Sequence, residues 1–208
     1  MSSRVVVATG NPGKLEEIRQ ILAGLDLEVV SMREAGIARE VEETGKTFEE
    51  NAMLKAKGIA GLTDSIVIAD DSGLEIDYLN KEPGIYSSRY LGTDVSYDIK
   101  NAALLQRMEG VPDEKRTARF VCAVAVVLPD GRSFVVRGEM EGRIGYEAAG
   151  ENGFGYDPIF YLPDYGMTSA QISPEEKNRI SHRGKALEKM VERLRTYLNG
   201  SDTERIFR

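Results

Sequence analysis

The chain of 208 residues has 29% charged and 41% hydrophobic residues, as in ordinary globular proteins, and its formal net charge of −7 argues against a surface that coats nucleic acid. One cysteine, Cys122, and one histidine, His182, exclude a disulfide framework, a cysteine-rich zinc site and a site of several histidines. The longest apolar run, residues 120–128, is shorter than the ~20 residues that span a membrane, and residues 1–20 lack the apolar core of a signal peptide. We therefore expect a protein of the reducing cytoplasm that contacts no membrane, with Cys122 buried in its core.

The first predicted elements are a strand, a loop and a helix. Residues 4–9 form a β-branched run, apolar side chains then recur at helical spacing over residues 15–22, and residues 27–30 predict a second strand. Asn11 suits the N-cap of the helix and Pro12 its first turn. Backbone N–H groups at a helix N-terminus can bind an anion, but the spacing matches neither a P-loop nor a dinucleotide-binding motif, so a phosphate site and a plain turn both stay open. The loop consists of Thr9, Gly10, Asn11, Pro12, Gly13 and Lys14.

A polar stretch precedes the second predicted helix. Residues 40–45 are dense in carboxylates, which usually indicates solvated surface. Residues 47–50 match a capping box, so a helix is predicted from there to about residue 62. Asn51 and Lys55 are four residues apart and share one face of this helix, which we expect to be exposed.

The stretch with the clearest chemistry is Asp70-Asp71-Ser72-Gly73. It follows residues 66–69, a short apolar run that predicts a buried strand, and precedes residues 73–79, which alternate as in a second strand. Carboxylates at the end of a buried strand are costly unless something pairs with them, and ligands of α/β sheets bind at such strand ends. Mg²⁺ prefers one or two carboxylates with water and phosphate oxygens. A metal site is therefore one interpretation of this stretch, and a turn is the other.

The middle of the chain predicts a loop, a helix and a hairpin. Residues 83–90 form a loop with several hydroxyl groups and one arginine, Arg89, which suits either a ligand or a structural ion pair. A helix is predicted over residues 95–108. Asp-Gly at 130–131 lies between two β-rich runs, residues 117–128 and 133–142, which is a strong hairpin signal.

The C-terminal part combines a glycine-aromatic loop with a long helix. Glycine in residues 153–160 lets the backbone approach a ligand closely and an aromatic ring can stack on a base, but such a loop can equally be anchored to the core. Residues 173–176 are a second capping box with proline in the first turn. An amphipathic helix is then predicted to end at Gly200, before a loose tail. No repeat or linker is present, so a single unit is expected.

Seven segments together resemble the inosine triphosphate pyrophosphatase family, whose members hydrolyse non-canonical purine nucleoside triphosphates. Each segment is short, but seven in the same order across nearly the whole chain are hard to obtain by chance. Only the tail after residue 200 has no matching segment. The segments are residues 9–14 (TGNPGK), 42–45 (EETG), 47–55 (TFEENAMLK), 69–73 (ADDSG), 83–90 (PGIYSSRY), 153–160 (GFGYDPIF) and 176–183 (EKNRISHR).

The resemblance implies an α/β fold with an elongated mixed β-sheet flanked by helices, in two lobes with a central active-site cleft, as one domain over residues 1–208 with a tail from about 201. It implies a homodimer that uses Mg²⁺ to cleave ITP, dITP and XTP into the monophosphate and pyrophosphate, without a nucleic-acid partner. Residues 9–14 would contact the triphosphate, and Glu42 and Asp71 the metal, with Asp71 also accepting the proton of the attacking water. The remaining implied nucleotide contacts are Ser72, Phe154, Gly155, Tyr156, Asp157, Lys177, His182 and Arg183.

The residue types agree with that chemistry. Polyphosphate cleavage requires positioning and charge neutralisation more than a protein nucleophile, and Lys14 and Lys177 can neutralise phosphate oxygens. Phe154 can stack on the base, while Arg183 or a loop N–H group can donate to the 6-oxo oxygen of hypoxanthine or xanthine. The sequence does not identify the residue that excludes the 2-amino group of guanine.

Two other functions remain open. A serine hydrolase using Ser72 and His182 lacks the usual G-x-S-x-G turn around its nucleophile. A nucleotide-binding module without turnover is the second alternative. A dinucleotide-dependent dehydrogenase is disfavoured because no G-x-G-x-x-G motif is present.

Overall fold

The computed structural model describes residues 3–197, so the predicted helix end at Gly200 and the tail from about 201 lie outside the described residues. Seven strands and five α-helices are described in this part of the chain. The strands are β1 (Ser3–Val7), β2 (Leu27–Ser31), β3 (Ile66–Ile76), β4 (Thr117–Val127), β5 (Ser133–Ile144), β6 (Phe160–Leu162) and β7 (Met167–Thr168). The helices are α1 (Pro12–Leu22), α2 (Phe48–Ala60), α3 (Tyr97–Arg107), α4 (Pro174–Ile180) and α5 (His182–Tyr197).

The strands form a mixed sheet in the order β2-β1-β3-β4-β5-β6-β7. β1 is parallel to both of its neighbours, with Val5 opposite Val29 of β2 and opposite Ile66 of β3. β6 is antiparallel to β5 and to β7. The predicted α/β fold with a mixed sheet and flanking helices is confirmed, whereas the cleft between two lobes stays a prediction.

The described residues divide into two compact units, and the boundaries between them fall within β3, β4 and β5 and after the first residue of α5. The first unit contains residues 3–71, 122–138 and 183–197, and the second contains Ser72–Val121 and Glu139–His182. Each unit has its own apolar core. Cys122 belongs to the first core and is fully buried, as expected. That both units belong to one domain stays a prediction.

Helices α1, α2 and α4 begin where the sequence predicts, because side chains satisfy their first N–H groups. The Asn11 Oδ1 accepts hydrogen bonds from the N–H groups of Gly13 and Lys14 at the start of α1. The hydroxyls of Thr47 and Ser173 accept from the residues three positions later, at the starts of α2 and α4. Each cap therefore fixes where the chain leaves a loop and enters a helix.

The prediction that a strand ends at Asp70-Asp71 is wrong. β3 continues from Ile66 through both acids to Ile76, so the two predicted strands are one. Successive side chains of a strand point to opposite faces of the sheet, and cations approach each acid, as described below. The pairing of both charges removes the penalty that would otherwise end the buried strand there.

Smaller differences concern the element ends. α2 ends at Ala60, two residues before its predicted end, and α3 covers Tyr97–Arg107 instead of residues 95–108. The predicted hairpin at Asp130-Gly131 is confirmed, with Gly131 at φ +85°, a value that glycine adopts without strain. Among residues 3–197, no helix is both long enough and apolar enough to cross a membrane.

Candidate active site

The loop of residues 9–14 joins β1 to α1 in the first unit. Its backbone donors are largely used within the loop: Gly13 and Lys14 donate to Asn11 Oδ1, at 2.9 and 3.2 Å, and the Asn11 N–H donates to Thr9 Oγ1 at 3.2 Å. The helix N-terminus that the sequence offers for an anion is thus capped by the chain itself. The groups around this loop that could attract an anion are therefore side-chain cations such as Lys14 more than backbone N–H groups.

Asp70 is a buried acid held between two cations. Its Oδ2 lies 3.0 Å from Lys14 Nζ and 3.4 Å from Arg183 Nη2, and the carboxyl is inaccessible to solvent. Arg183 is buried too, and its other terminal nitrogen pairs with Glu17 of α1. Burial acts to raise the pKa of Asp70, but the attraction of Lys14 and Arg183 outweighs it and holds the pKa well below its usual value. Asp70 is therefore ionised and anchors Lys14 beside the loop.

Asp71, the next residue of β3, has different partners and the opposite pKa shift. The Asn51 amide donates to its Oδ2 at 3.1 Å, and Lys55 Nζ lies 3.6 Å from its Oδ1. Burial raises the pKa of Asp71 and the negative charge of Glu43 adds to this, although Lys55 and Lys14 oppose the shift. A carboxylate with a raised pKa accepts a proton more readily, so Asp71 is suited to be a general base.

The acidic stretch before α2 brings a second carboxylate to Lys55. Glu43 Oε1 lies 2.7 Å from Lys55 Nζ, so this ammonium group bridges Glu43 and Asp71. Asn51 connects the same stretch to the strand, because its Oδ1 accepts the Gly45 N–H at 2.8 Å while its amide donates to Asp71. Glu42, the predicted metal ligand, is exposed beside Glu43.

Hard oxygen donors suited to a divalent ion meet here, although they are few. Within residues 3–197, no group of three or more His, Cys, Asp or Glu side chains is placed to hold a metal ion. Mg²⁺ needs only one or two carboxylates when phosphate oxygens and water complete its coordination. Asp71 and Glu43 already converge on one cation, the ammonium of Lys55. The donor set therefore fits a divalent ion that binds together with a phosphorylated ligand.

The glycine-aromatic loop lies in the second unit and is held by its own side chains. Asp157 is buried; its Oδ2 accepts the Phe154 N–H at 2.9 Å and Lys177 Nζ at 2.6 Å. The Asn101 amide donates to the Gly155 carbonyl at 3.1 Å, and the Tyr156 hydroxyl donates to a carbonyl oxygen outside the loop. Asp157 and Tyr156, which the sequence predicts as nucleotide contacts, thus shape the loop, while Phe154 stays half-buried with its ring 5.2 Å from Lys177 Nζ.

The remaining predicted contacts lie at the unit boundaries in the chain. Ser72 directly follows Asp71 in β3 and is half-buried. The His182 ring is buried in the second unit and stacks on Phe120, with centroids 4.9 Å apart and 15° between the planes. Arg183, the next residue, belongs to the first unit. The structure thus brings together Lys14, Asp70, Asp71 and Arg183 in the first unit, and Phe154, Asp157 and Lys177 in the second.

Nearly the whole chain matches one family model, that of the Ham1 family, which aligns with residues 5–193. The chain belongs to the Ham1 family. A protein of Exiguobacterium sibiricum named dITP/XTP pyrophosphatase is 48% identical over 195 residues, 94% of this chain and 98% of that protein. A protein of the same name from Listeria innocua is 46% identical, over 92% of this chain and 95% of its own length.

Solved structures of Ham1 proteins share the fold. The Ham1 protein of Staphylococcus aureus is 42% identical and superposes with a TM-score of 0.84, covering 94% of this chain and 100% of that one. A structure from Mycobacterium abscessus, titled nucleoside-triphosphatase and dITP/XTP pyrophosphatase, has a TM-score of 0.72 and 42% identity, over 90% of this chain and 98% of that one. The family resemblance inferred from the seven segments is confirmed.

Sequence reasoning missed three residues of the candidate site. Asn51 and Lys55 are not on an exposed helix face: Asn51 is fully buried, and the Lys55 side chain is only 15% exposed. Glu43 lies in a stretch interpreted as solvated surface, yet it pairs with Lys55. The spacing of four residues between Asn51 and Lys55 was the available signal, because it places an amide and an ammonium group side by side.

Replacing Gly153 with alanine is expected to destabilise the protein by about 1–3 kcal/mol. Gly153 has φ +76°, and an added Cβ would lie 2.3 Å from Asp157 Oδ2 and 2.9 Å from Lys177 Nζ. The substitution therefore strains the backbone and displaces a buried ion pair. Urea denaturation measures the effect. Gly61→Ala is the control, since Gly61 has φ −70° and no heavy atom near its added Cβ; equal unfolding midpoints for the two variants would contradict the prediction.

Proposed function

We propose that this Ham1 protein hydrolyses the non-canonical purine nucleoside triphosphates ITP, dITP and XTP to the monophosphate and pyrophosphate, which removes them from the nucleotide pool. The observation that carries the proposal is the contrast between Asp70, kept ionised beside Lys14, and Asp71, whose pKa is raised. One acid anchors a cation at the loop while its neighbour is able to take up a proton. Relatives over nearly the full length are named dITP/XTP pyrophosphatases, and their name supports the choice of substrate.

The proposed reaction begins with proton transfer from a water molecule to Asp71. The water oxygen forms a bond to the α-phosphorus, and the bond from that phosphorus to the oxygen bridging to the β-phosphate breaks, so pyrophosphate leaves as one unit. Asn51 holds the Asp71 carboxylate in place through its Oδ2. Lys14 and Lys55 reduce the negative charge around the phosphates, which is the main requirement of such a reaction.

Glu42 and Asp71 are the residues that we propose to hold Mg²⁺, with Glu43 adjacent. When bound, Mg²⁺ supplies positive charge against the phosphate oxygens and lowers the pKa of bound water. Lys55 already lies between Asp71 and Glu43, so it stabilises the two acids when no other cation is near. Homodimerisation and a cytoplasmic location belong to the same proposal.

Base selection is assigned to the loop of residues 153–157. Phe154 offers a half-buried ring for stacking, and Lys177 is kept against that ring by Asp157. A donor that faces the 6-oxo oxygen of hypoxanthine or xanthine would be left unpaired when adenine binds, and such mismatches discriminate by ~10⁴. Ser72, His182 and Arg183 stay predicted nucleotide contacts; both terminal nitrogens of Arg183 already pair with carboxylates, which favours a role through Asp70.

The test is to incubate the protein with ITP, XTP, GTP and ATP, with and without Mg²⁺, and to measure pyrophosphate and orthophosphate separately. We expect pyrophosphate from ITP and XTP only when Mg²⁺ is present, and little from GTP or ATP. Orthophosphate as the first product would contradict attack at the α-phosphorus. Activity that survives EDTA would favour a serine hydrolase, and absence of turnover would favour a binding module.

A further inference from the structure

Two adjoining pockets of the first unit meet at the loop of residues 9–14. One has a volume of about 350 Å³ and extends to Lys14 and Lys55, and the other, of about 700 Å³, extends along the segment after β2. Both are lined by Thr9, Gly10 and Asn11 of the loop. Arg39 also lines both pockets, so this residue belongs to the walls of the same space as the loop.

The lysines at these pockets are already paired with acids. Lys14 lies 3.0 Å from Asp70, and Lys55 bridges Glu43 and Asp71. Their charges are therefore largely balanced before any ligand binds. A triphosphate adds several negative charges, and binding it needs cations that the protein has not already neutralised.

Arg33 and Arg39 are such cations. Both side chains are exposed, and neither makes a hydrogen bond or ion pair with any residue between 3 and 197. Arg33 lines the larger pocket and Arg39 both. Glu40 also lines both pockets, so the three charged residues of this segment that line them, Arg33, Arg39 and Glu40, carry a net charge of +1. A guanidinium group presents N–H donors in a planar fork that matches two phosphate oxygens.

We propose that Arg39, assisted by Arg33, binds the β- and γ-phosphates of the substrate and retains pyrophosphate after cleavage. The inference rests on the proposed function and adds residues that lie outside the seven family-like segments. Because the Gly13 and Lys14 N–H groups are used by Asn11, the pyrophosphate end is bound by these side chains. Arg39 then sets the affinity for the triphosphate and for the leaving product without taking part in bond breaking.

The experiment is isothermal titration calorimetry of the full chain with inorganic pyrophosphate at fixed Mg²⁺ and salt, on the wild type, Arg39→Gln and Arg33→Gln. Loss of a charge-assisted hydrogen bond predicts pyrophosphate binding about tenfold weaker for Arg39→Gln, with a smaller effect for Arg33→Gln. Arg4→Gln is the matched control, since Arg4 is an exposed arginine of the same unit that lines neither pocket. We expect its affinity to equal that of the wild type.

Steady-state kinetics give a second readout. For Arg39→Gln we expect a KM for ITP and an inhibition constant for pyrophosphate that both rise about tenfold, with kcat not reduced. Unchanged pyrophosphate affinity in Arg39→Gln, or an equal loss in Arg4→Gln, would overturn the proposal. If the wild type binds pyrophosphate through Arg39 yet does not cleave ITP, the subsite stands and the proposed function fails.

Discussion

Replacing Asp71 with asparagine is expected to lower kcat for ITP by about 10²–10⁴-fold, the usual contribution of a general base. Asparagine has nearly the same shape but cannot accept the proton of the attacking water. The stability of the variant should equal or exceed that of the wild type, since burial raises the pKa of Asp71 and makes its charged form unfavourable. Pyrophosphate release and urea denaturation measure the two effects.

The combination of lost activity with retained stability separates catalysis from folding. Asp26→Asn is a suitable control, because Asp26 is exposed and makes no side-chain hydrogen bond or ion pair within the described chain. It should hydrolyse ITP at the wild-type rate. Turnover close to wild type in Asp71→Asn would remove Asp71 from its proposed role.

Replacing Asp70 with asparagine is expected to have the largest effect on stability, a loss of about 3–5 kcal/mol, as is usual when one member of a buried ion pair is removed. Lys14 and Arg183 would lose the carboxylate that lies 3.0 and 3.4 Å from them. Arg183 is buried and would keep only Glu17 as a charged partner. Urea denaturation at pH 7 measures the loss.

The stability lost in Asp70→Asn is also expected to depend on pH. The pKa of Asp70 is lower in the folded protein than its ordinary value of 3.8, so its contribution is complete above that value and is lost as the pH falls further. The difference in stability between wild type and Asp70→Asn should therefore be constant near neutrality and shrink below about pH 4. A difference that grew in acid would contradict this assignment.

A surface pair provides the control for Asp70. Asp130 Oδ2 lies 2.7 Å from Arg132 Nη2, but the side chains of Asp130 and Arg132 are 51% and 45% exposed. Solvent screens such a pair, so Asp130→Asn should leave the urea midpoint almost unchanged. If Asp70→Asn and Asp130→Asn had equally small effects on the urea midpoint, the buried ion pairs of Asp70 would contribute no more to stability than a surface contact.

Local signals in the sequence predicted the elements that depend on neighbouring residues. Asn11 and Pro12 predicted the start of α1, and Ser173 the start of α4, because a cap acts within one helical turn. The hairpin at Asp130-Gly131 was predictable for the same reason. The family, and with it the proposed reaction, followed from short segments in a fixed order.

The partners of the two acids were not predictable in this way. Asp70 contacts Arg183, 113 residues later, and Asp71 contacts Asn51, 20 residues earlier. Such contacts depend on how helices pack on the sheet, which no local pattern contains. Because these partners cannot be identified from local sequence, Asp70 and Asp71 suggest the end of a strand, whereas they lie inside β3.

Neighbouring side chains in β3 point to opposite sides of the sheet, so a spacing of one residue separates Asp70, which anchors Lys14, from Asp71, the proposed general base. Point substitutions can change either acid without moving the other side chain, although Lys14 and Lys55 act on the charge of both. Inserting or deleting a residue within β3 is different, because every later side chain of the strand would then point to the other face of the sheet. Natural or engineered variation in length is therefore expected in the loops and not within Ile66–Ile76.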